Sequence, residues 1–347
     1  MAVKSIAPLK ASGEDGFPAI VYQKYWLITG EKVTKYCLDV LHGRRNMEEI
    51  NKTCIILIPK VNSPKAMSQF RPISLCKVIY KIISKVLINR FRRVLSCCIE
   101  DNQRAFIAGR QITDNIFVAY EILHSFKKRR GSSKKGFALK IDMSKAYDRI
   151  ELGFLENMMR RLGFCEDWIL LVMRCITSVA YSVVLNGRIG EEFCPQRGLR
   201  QGDPLSPYLF LICVKGFSRI IALAKREGRL FRTKIGMGNV SVSHLFFADD
   251  SILFGDNPIE GASNIKNVVN KYEKVSGQLV NFDKSLIYFN NNVDPETRIH
   301  VGGILGVRIS NNLKKYLGLP TMVGRRKKHA FVHTKERFIK VLNNWSL

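Results

Sequence analysis

The chain has 347 residues, 46% of them apolar and 10% aromatic, and its 56 Lys+Arg outnumber 29 Asp+Glu to leave a net charge of +27. That length holds roughly two domains, each able to bury a core, and the apolar share excludes a disordered basic tail. The charge points to a polyanionic partner, either nucleic acid or an anionic membrane surface.

No apolar run reaches the roughly 18–20 residues a helix needs to cross a bilayer; the longest lies around Leu209–Val214. Met1 to Pro18 lacks the apolar core and small-residue cleavage site of a secretory signal. Nine cysteines occur without CxxC or CxxH spacing, so reduced thiols packed as small hydrophobes are expected rather than a structural zinc site. The chain therefore reads as intracellular, not secreted.

In chain order, Ile55–Ile58 reads as a short strand ended by Pro59. Lys77 to Leu95 has helical periodicity, with Val78, Ile79, Ile82, Ile83, Val86 and Leu87 inward and Lys77, Lys81 and Lys85 on another face. Thr113 or Asp114 caps a second helix carrying Ile116, Tyr120 and Leu123. Phe137–Asp142 alternates like a strand, and two helices follow at Glu151–Leu162 and Asp167–Ile176. Tyr181 to Phe193 forms a hairpin turning at Asn186-Gly187. Leu205 to Arg226 is a long apolar helix started by Pro204 and Pro207. His244 to Phe254 is a second hairpin, Pro258 to Val275 a helix, and Gln278–Phe289 a strand. This order predicts an α+β fold, an antiparallel sheet with helices on one face.

Acids occupy two places where a core should be apolar. Asp142 ends the strand Phe137–Asp142, and Asp249-Asp250 fills the turn of the second hairpin. A lone Asp in a turn is ordinary, because its side chain bonds local N–H groups. Adjacent acids between strongly apolar strands are different, since clustered carboxylates repel and need a compensating cation. Mg²⁺ suits such a cluster because it binds one or two carboxylates plus phosphate oxygens, and two ions about 3.5–4 Å apart can activate an attacking hydroxyl and stabilise a leaving oxygen.

These residues carry a family resemblance. Phe247-Ala248-Asp249-Asp250 resembles the catalytic turn of reverse transcriptases, and Ala138 to Asp148 (ALKIDMSKAYD) resembles their first acid-bearing motif. Arg197 to Pro207 (RGLRQGDPLSP), Leu57 to Lys60, Phe70 to Leu75, Ser276 to Ser285 and Tyr316 to Pro320 are similar to further motifs in the same order. The wording resembles non-LTR (LINE-type) retrotransposons, most of all plant members. The resemblance implies a right-hand polymerase fold: fingers over 1–135 with an N-terminal extension, palm over 136–320, and the start of a truncated helical thumb over 321–347. It implies an RNA-directed DNA polymerase that extends a DNA primer on an RNA template with deoxynucleoside triphosphates. In that case Asp142, Asp249 and Asp250 hold two Mg²⁺ ions.

Other roles follow only from the resemblance. Tyr147 is implied as the steric gate beneath the sugar; a core tyrosine with a paired hydroxyl is the alternative. Gln201 and Gly202 approach the nucleotide and template, although Asp203 as a helix cap also explains that turn. Lys60 and Arg71 supply positive charge to the triphosphate, Arg71 in bidentate fashion, and Lys284 helps protonate pyrophosphate. Lys77, Lys81, Lys85 and Arg110 track template phosphates, and Leu317 and Gly318 form the primer grip. Two other readings stand beside this one: a thumb-truncated, inactive nucleic-acid-binding remnant, or a group II intron maturase-like enzyme. No membrane partner is expected, because the basic residues lie beside the palm motifs and not on a helix with an aromatic face. The expected place is the nucleus or a cytoplasmic ribonucleoprotein.

Overall fold

A computed structural model describes residues 2–128, 135–230, 233–234, 241–310, 315–317, 319–320, 332, 335–336 and 338–339. The basic runs at 129–134 and 325–328, with nearly all of 321–347, lie outside the described residues. The chain forms two compact units, one of Met1–Ile99, Lys145–Gly216 and Val275–Gln278, the other of Glu100–Ser144, Phe217–Lys274 and Leu279–Leu347.

The first unit holds a four-stranded sheet in the order Phe70–Cys76, Lys52–Pro59, Ala180–Leu185, Arg188–Ile189. Lys52–Pro59 pairs antiparallel with Phe70–Cys76 and parallel with Ala180–Leu185. The hairpin turn falls at Asn186-Gly187 as expected, both with positive φ. The helix Val78–Cys98 buries Ile82, Ile83, Leu87, Phe91 and Leu95, and Phe91 stacks on Phe164 at 5.3 Å and Trp168 at 6.1 Å. Two helices that periodicity did not reveal, Ala19–Lys24 and Trp26–Leu41, precede it. The inner seam of Trp26–Leu41 is Gly30, Val33, Cys37 and Val40. Its first member is a glycine because a Cβ there would lie 2.6 Å from the Trp26 ring.

The second unit is built on a five-stranded sheet in the order Arg308–Ile309, Leu286–Phe289, Gly136–Ile141, Asp250–Asp256, His244–Phe247. Its pairings are antiparallel except at the Arg308 edge, which is parallel. The α+β class and the antiparallel centre hold, but helices cover both faces instead of the expected one. On one face Ile116, Ala119, Ile122, Leu123 and Phe126 of the helix Ile112–Lys128 pack on Ala138, Ile252, Phe254 and Tyr288. On the other face Phe217 stacks on Phe246 at 5.4 Å and on Tyr272 of the helix Pro258–Ser276 at 4.6 Å. The predicted strand Gln278–Phe289 is broken into Leu279–Val280 and Leu286–Phe289. Asn281 causes the break: its carbonyl accepts from the backbone N–H groups of Lys284 and Ser285, forming a turn in place of a ladder.

The helix Ser206–Arg226 has 21 residues with mean hydropathy 1.6, enough to cross a membrane by length and composition. However, 67% of its apolar window is buried inside the protein, the pattern of a core helix. Five of the nine free cysteines are buried, whereas Cys97, Cys165 and Cys194 are exposed and Cys98 is half-buried.

Candidate active site

The strand register brings the acids together. Ser251 is opposite Ile141 on the neighbouring antiparallel strand, so the next position along that register sets Asp250 opposite Asp142. Directly opposed side chains share a face with Cβ atoms about 4.5–5.5 Å apart. Asp249 precedes Asp250 in the turn, next to Ala248, whose φ of 53° is left-handed without being glycine. Asp142 is pinned at both backbone groups: its N–H donates to Ser285 Oγ at 3.1 Å and its carbonyl accepts from the Asn281 N–H at 2.8 Å. The broken strand therefore serves the site, because its turn holds Asp142 and presents Lys284 beside it.

Burial raises the Asp142 carboxyl above its ordinary pKa; Lys284 and Lys140 oppose this, and Asp250 adds to it. Asp249 is also raised, first by burial, with Asp250 and Asp142 adding to the effect. The Asp249 residue surface is exposed, yet the upward direction stands because both neighbouring carboxylates push the same way. Lys140 Nζ lies 3.7 Å from Asp250 Oδ1. Among the described residues no group of three acids or other metal-binding side chains forms a ready-made cage. The donor set nevertheless fits a divalent ion that completes its shell with phosphate oxygens: three neighbouring carboxylates, of which Asp142 and Asp249 are raised, with Lys284 and Lys140 only partly offsetting the rise at Asp142.

The remaining candidates divide between the units. In the first, Tyr147 is half-buried and its ring stacks on Phe210 at 4.7 Å. Gln201 contributes its carbonyl to the Ser74 N–H at 2.9 Å. Gly202 has a φ of 106°, and a Cβ there would come within 3.1 Å of the Ser74 carbonyl. This segment is anchored by buried Arg200, which donates to Asn51 Oδ1 at 2.6 Å and the Cys175 carbonyl at 3.1 Å and lies 4.0 Å over the Tyr80 ring. Asp203 accepts from the Leu205 N–H and the Ser206 hydroxyl, so it braces the turn ahead of the helix Ser206–Arg226 and is not its N-cap. Arg71 is exposed on its strand, and Lys60 Nζ donates to the Ser68 carbonyl at 2.9 Å.

The lysine face of the helix Val78–Cys98 needs correction. Lys81 is only 3% exposed and donates to the Ala11 carbonyl, and burial lowers its pKa. Lys77 pairs with Glu14 at 2.8 Å and donates to the Glu49 carbonyl. Lys85 is half-buried, with its pKa lowered first by burial and then by Arg92. The four-residue spacing does place them on one face, but the N-terminal segment covers it. Arg110 is likewise committed to the Glu100 and Gln103 carbonyls, each at 2.7 Å, and to Asp101. Leu317 packs against the core cluster with a φ of 49°, and Gly318 lies outside the described residues. Sequence reasoning missed Lys140, although its signal was present: two residues before Asp142 on a strand is the same face.

Two strands ending on opposed carboxylates, with a third acid in the adjoining turn, form an arrangement suited to divalent-metal chemistry on phosphates. Residues 58–321 match the family model "Reverse transcriptase (RNA-dependent DNA polymerase)", and the chain belongs to that family. It is 27% identical over 278 residues to the transposon TX1 uncharacterized 149 kDa protein of Xenopus laevis, covering 80% of this chain and 20% of that protein. It is 30% identical over 207 residues to the Retrovirus-related Pol polyprotein from type-2 retrotransposable element R2DM of Drosophila melanogaster, covering 58% and 18%. These relatives place it with the reverse-transcriptase cores of non-LTR retrotransposons, and the chain spans about a fifth of their length. An uncharacterized mitochondrial protein of Arabidopsis thaliana is 43% identical over 68 residues, covering 20% of this chain and 56% of that protein. Among solved structures, telomerase from Candida tropicalis in complex with a TWJ fragment of telomeric RNA superposes with a TM-score of 0.54 at 14% identity, covering 88% of this chain and 47% of that one. Apo telomerase of the same species, truncated from its C-terminal domain, gives 0.51 at 15% identity, covering 79% and 56%. At such identity the likeness shows the polymerase fold alone.

Proposed function

We propose that this chain extends a DNA primer along an RNA template, joining the primer 3′-hydroxyl to the α-phosphate of a deoxynucleoside triphosphate and releasing pyrophosphate. The observation that carries this is the register that opposes Asp142 and Asp250 with Asp249 in the adjoining turn. Two Mg²⁺ ions held by these three carboxylates would supply charge neutralisation and hydroxyl activation. The chain's own groups do the rest. Arg71 binds triphosphate oxygens with a planar fork, and the Tyr147 ring, backed by Phe210, sits beneath the sugar. Gln201 and Gly202 form the wall against nucleotide and template. Lys284 holds a proton for the departing pyrophosphate. In this reading fingers, palm and thumb run over 1–135, 136–320 and 321–347. The segment shared with the Arabidopsis protein supports a plant-like lineage, and such substrates are met in the nucleus or in a cytoplasmic ribonucleoprotein.

The test is Mg²⁺-dependent extension of a DNA primer on poly-rA by purified protein beside Asp249→Ala. Extension by the wild type that the variant loses supports the reading. Equal signal in both, or none in either, ends it.

A further inference from the structure

The Ala248-Asp249 turn, which leads into Asp250, is held from outside its own hairpin. Asp250 pairs with Phe247 across the turn, which leaves the Ala248 N–H without a ladder partner. A non-glycine residue in left-handed backbone persists only where its surroundings over-determine it. Here the partner is Gln103, 2% exposed, whose Oε1 accepts from the Ala248 N–H at 3.1 Å and from the Ala105 N–H at 2.9 Å.

The loop around Gln103 is itself fixed. The Phe246 N–H donates to the Asn102 carbonyl at 2.8 Å, and the Arg104 N–H donates to the Phe246 carbonyl at 3.2 Å. Arg110 bonds the carbonyls at both ends of Glu100–Gln103, so this cation braces the loop. Among the described residues the buried Nε2 of Gln103 has no hydrogen-bond partner, so only the acceptor oxygen of the amide is hydrogen-bonded.

We infer that Gln103 is a positioning residue for the reaction proposed above: its carboxamide oxygen fixes the left-handed Ala248 turn and thereby the spacing of Asp249 and Asp250 against Asp142. The inference rests on that functional reading for its kinetic arm, but metal binding tests it independently.

Three variants decide it. Gln103→Met keeps the volume and removes the acceptor. Gln103→Glu keeps an acceptor oxygen for the two backbone N–H groups, replaces a donor that has no partner among the described residues, and adds an ionisable carboxyl. Asn115→Leu removes a different buried bond to the same strand, Asn115 Nδ2 to the Phe246 carbonyl at 2.8 Å, and reports plain destabilisation. Mn²⁺ affinity is measured by water-proton relaxation with the thermal midpoint recorded alongside, and primer extension gives kcat and the nucleotide KM. Gln103→Met is expected to weaken Mn²⁺ binding and lower kcat by about 10–100-fold, with KM nearly unchanged. Gln103→Glu should recover most of both, and Asn115→Leu should lower the midpoint without the metal defect. Wild-type Mn²⁺ affinity in Gln103→Met, or a metal defect equal to that of Asn115→Leu, overturns the inference. A wild type that binds Mn²⁺ but extends no primer ends the functional reading while the affinity comparison still decides Gln103. A wild type that binds no Mn²⁺ through these acids overturns both.

Discussion

The Asp142 carboxyl is raised by burial, partly offset by Lys284, and Asp249 is raised too, with Asp250 and Asp142 adding to the effect. A raised acid costs the fold nothing below the unfolded pKa, where both states are protonated. The cost grows as pH climbs through the unfolded pKa and is complete above the folded one. Without metal, Asp142→Asn should therefore have a higher thermal midpoint than wild type at neutral pH. The difference should vanish as pH falls below the ordinary carboxylate range, and excess Mg²⁺ should stabilise wild type more than the variant. Calorimetry across pH in chelator and in Mg²⁺ checks this, and an Asn variant no more stable at neutral pH would count against the crowding of these acids. Tyr147 allows a second test at this scale. Its ring stacks on Phe210, so Tyr147→Val removes a flat, braced surface and should admit ribonucleotides in primer extension. Unchanged sugar discrimination would leave Tyr147 as a core tyrosine.

Among the elements, the ones whose burial repeats locally were legible. Phe137 to Ile141 and Leu245 to Phe254 alternate or run apolar because both faces of their sheet are covered, and the Asn186-Gly187 turn declares its own backbone. Trp26–Leu41 was hidden because its inner seam begins with a glycine and its outer surface carries Leu27 and Ile28, both exposed. Pro295–Leu305 carried a readable start in Asp294 followed by Pro295, and the structure uses it: Asp294 Oδ1 accepts from the Thr297 N–H at 2.8 Å. The three acids were readable from chemistry alone, whereas Gln103 was not, because its contact with Ala248 crosses 145 residues. The covered second face can be tested. Phe217 is buried between Phe246 and Tyr272, so Phe217→Ala should cost about 3–5 kcal/mol. Urea unfolding followed by circular dichroism reads this as a lower midpoint; a loss under about 1 kcal/mol would be too small for a well-packed aromatic.

For the whole molecule the excess of +27 is a statement about polyanion binding only where the charge is free to meet phosphates. Lys77, Lys81 and Arg110 are not: each is spent on a carboxylate or on backbone carbonyls inside its own unit. Arg71, Arg90 and Arg93 are exposed. If the chain binds an RNA–DNA duplex, as the proposed function requires, its affinity falls with salt in proportion to the phosphates neutralised, about 0.9 in log–log slope per contact on a B-form duplex. Arg90→Met and Arg93→Met should thus each weaken binding and reduce the slope by about one. Lys81→Met should leave the slope where it was and lower the thermal midpoint, because the Ala11 carbonyl loses its donor. Fluorescence anisotropy over a salt series, with a melting curve for each variant, separates the two outcomes. A slope that falls for Lys81→Met and holds for the arginines would mean that the buried lysine face, as the helical spacing first suggested, opens to the nucleic acid.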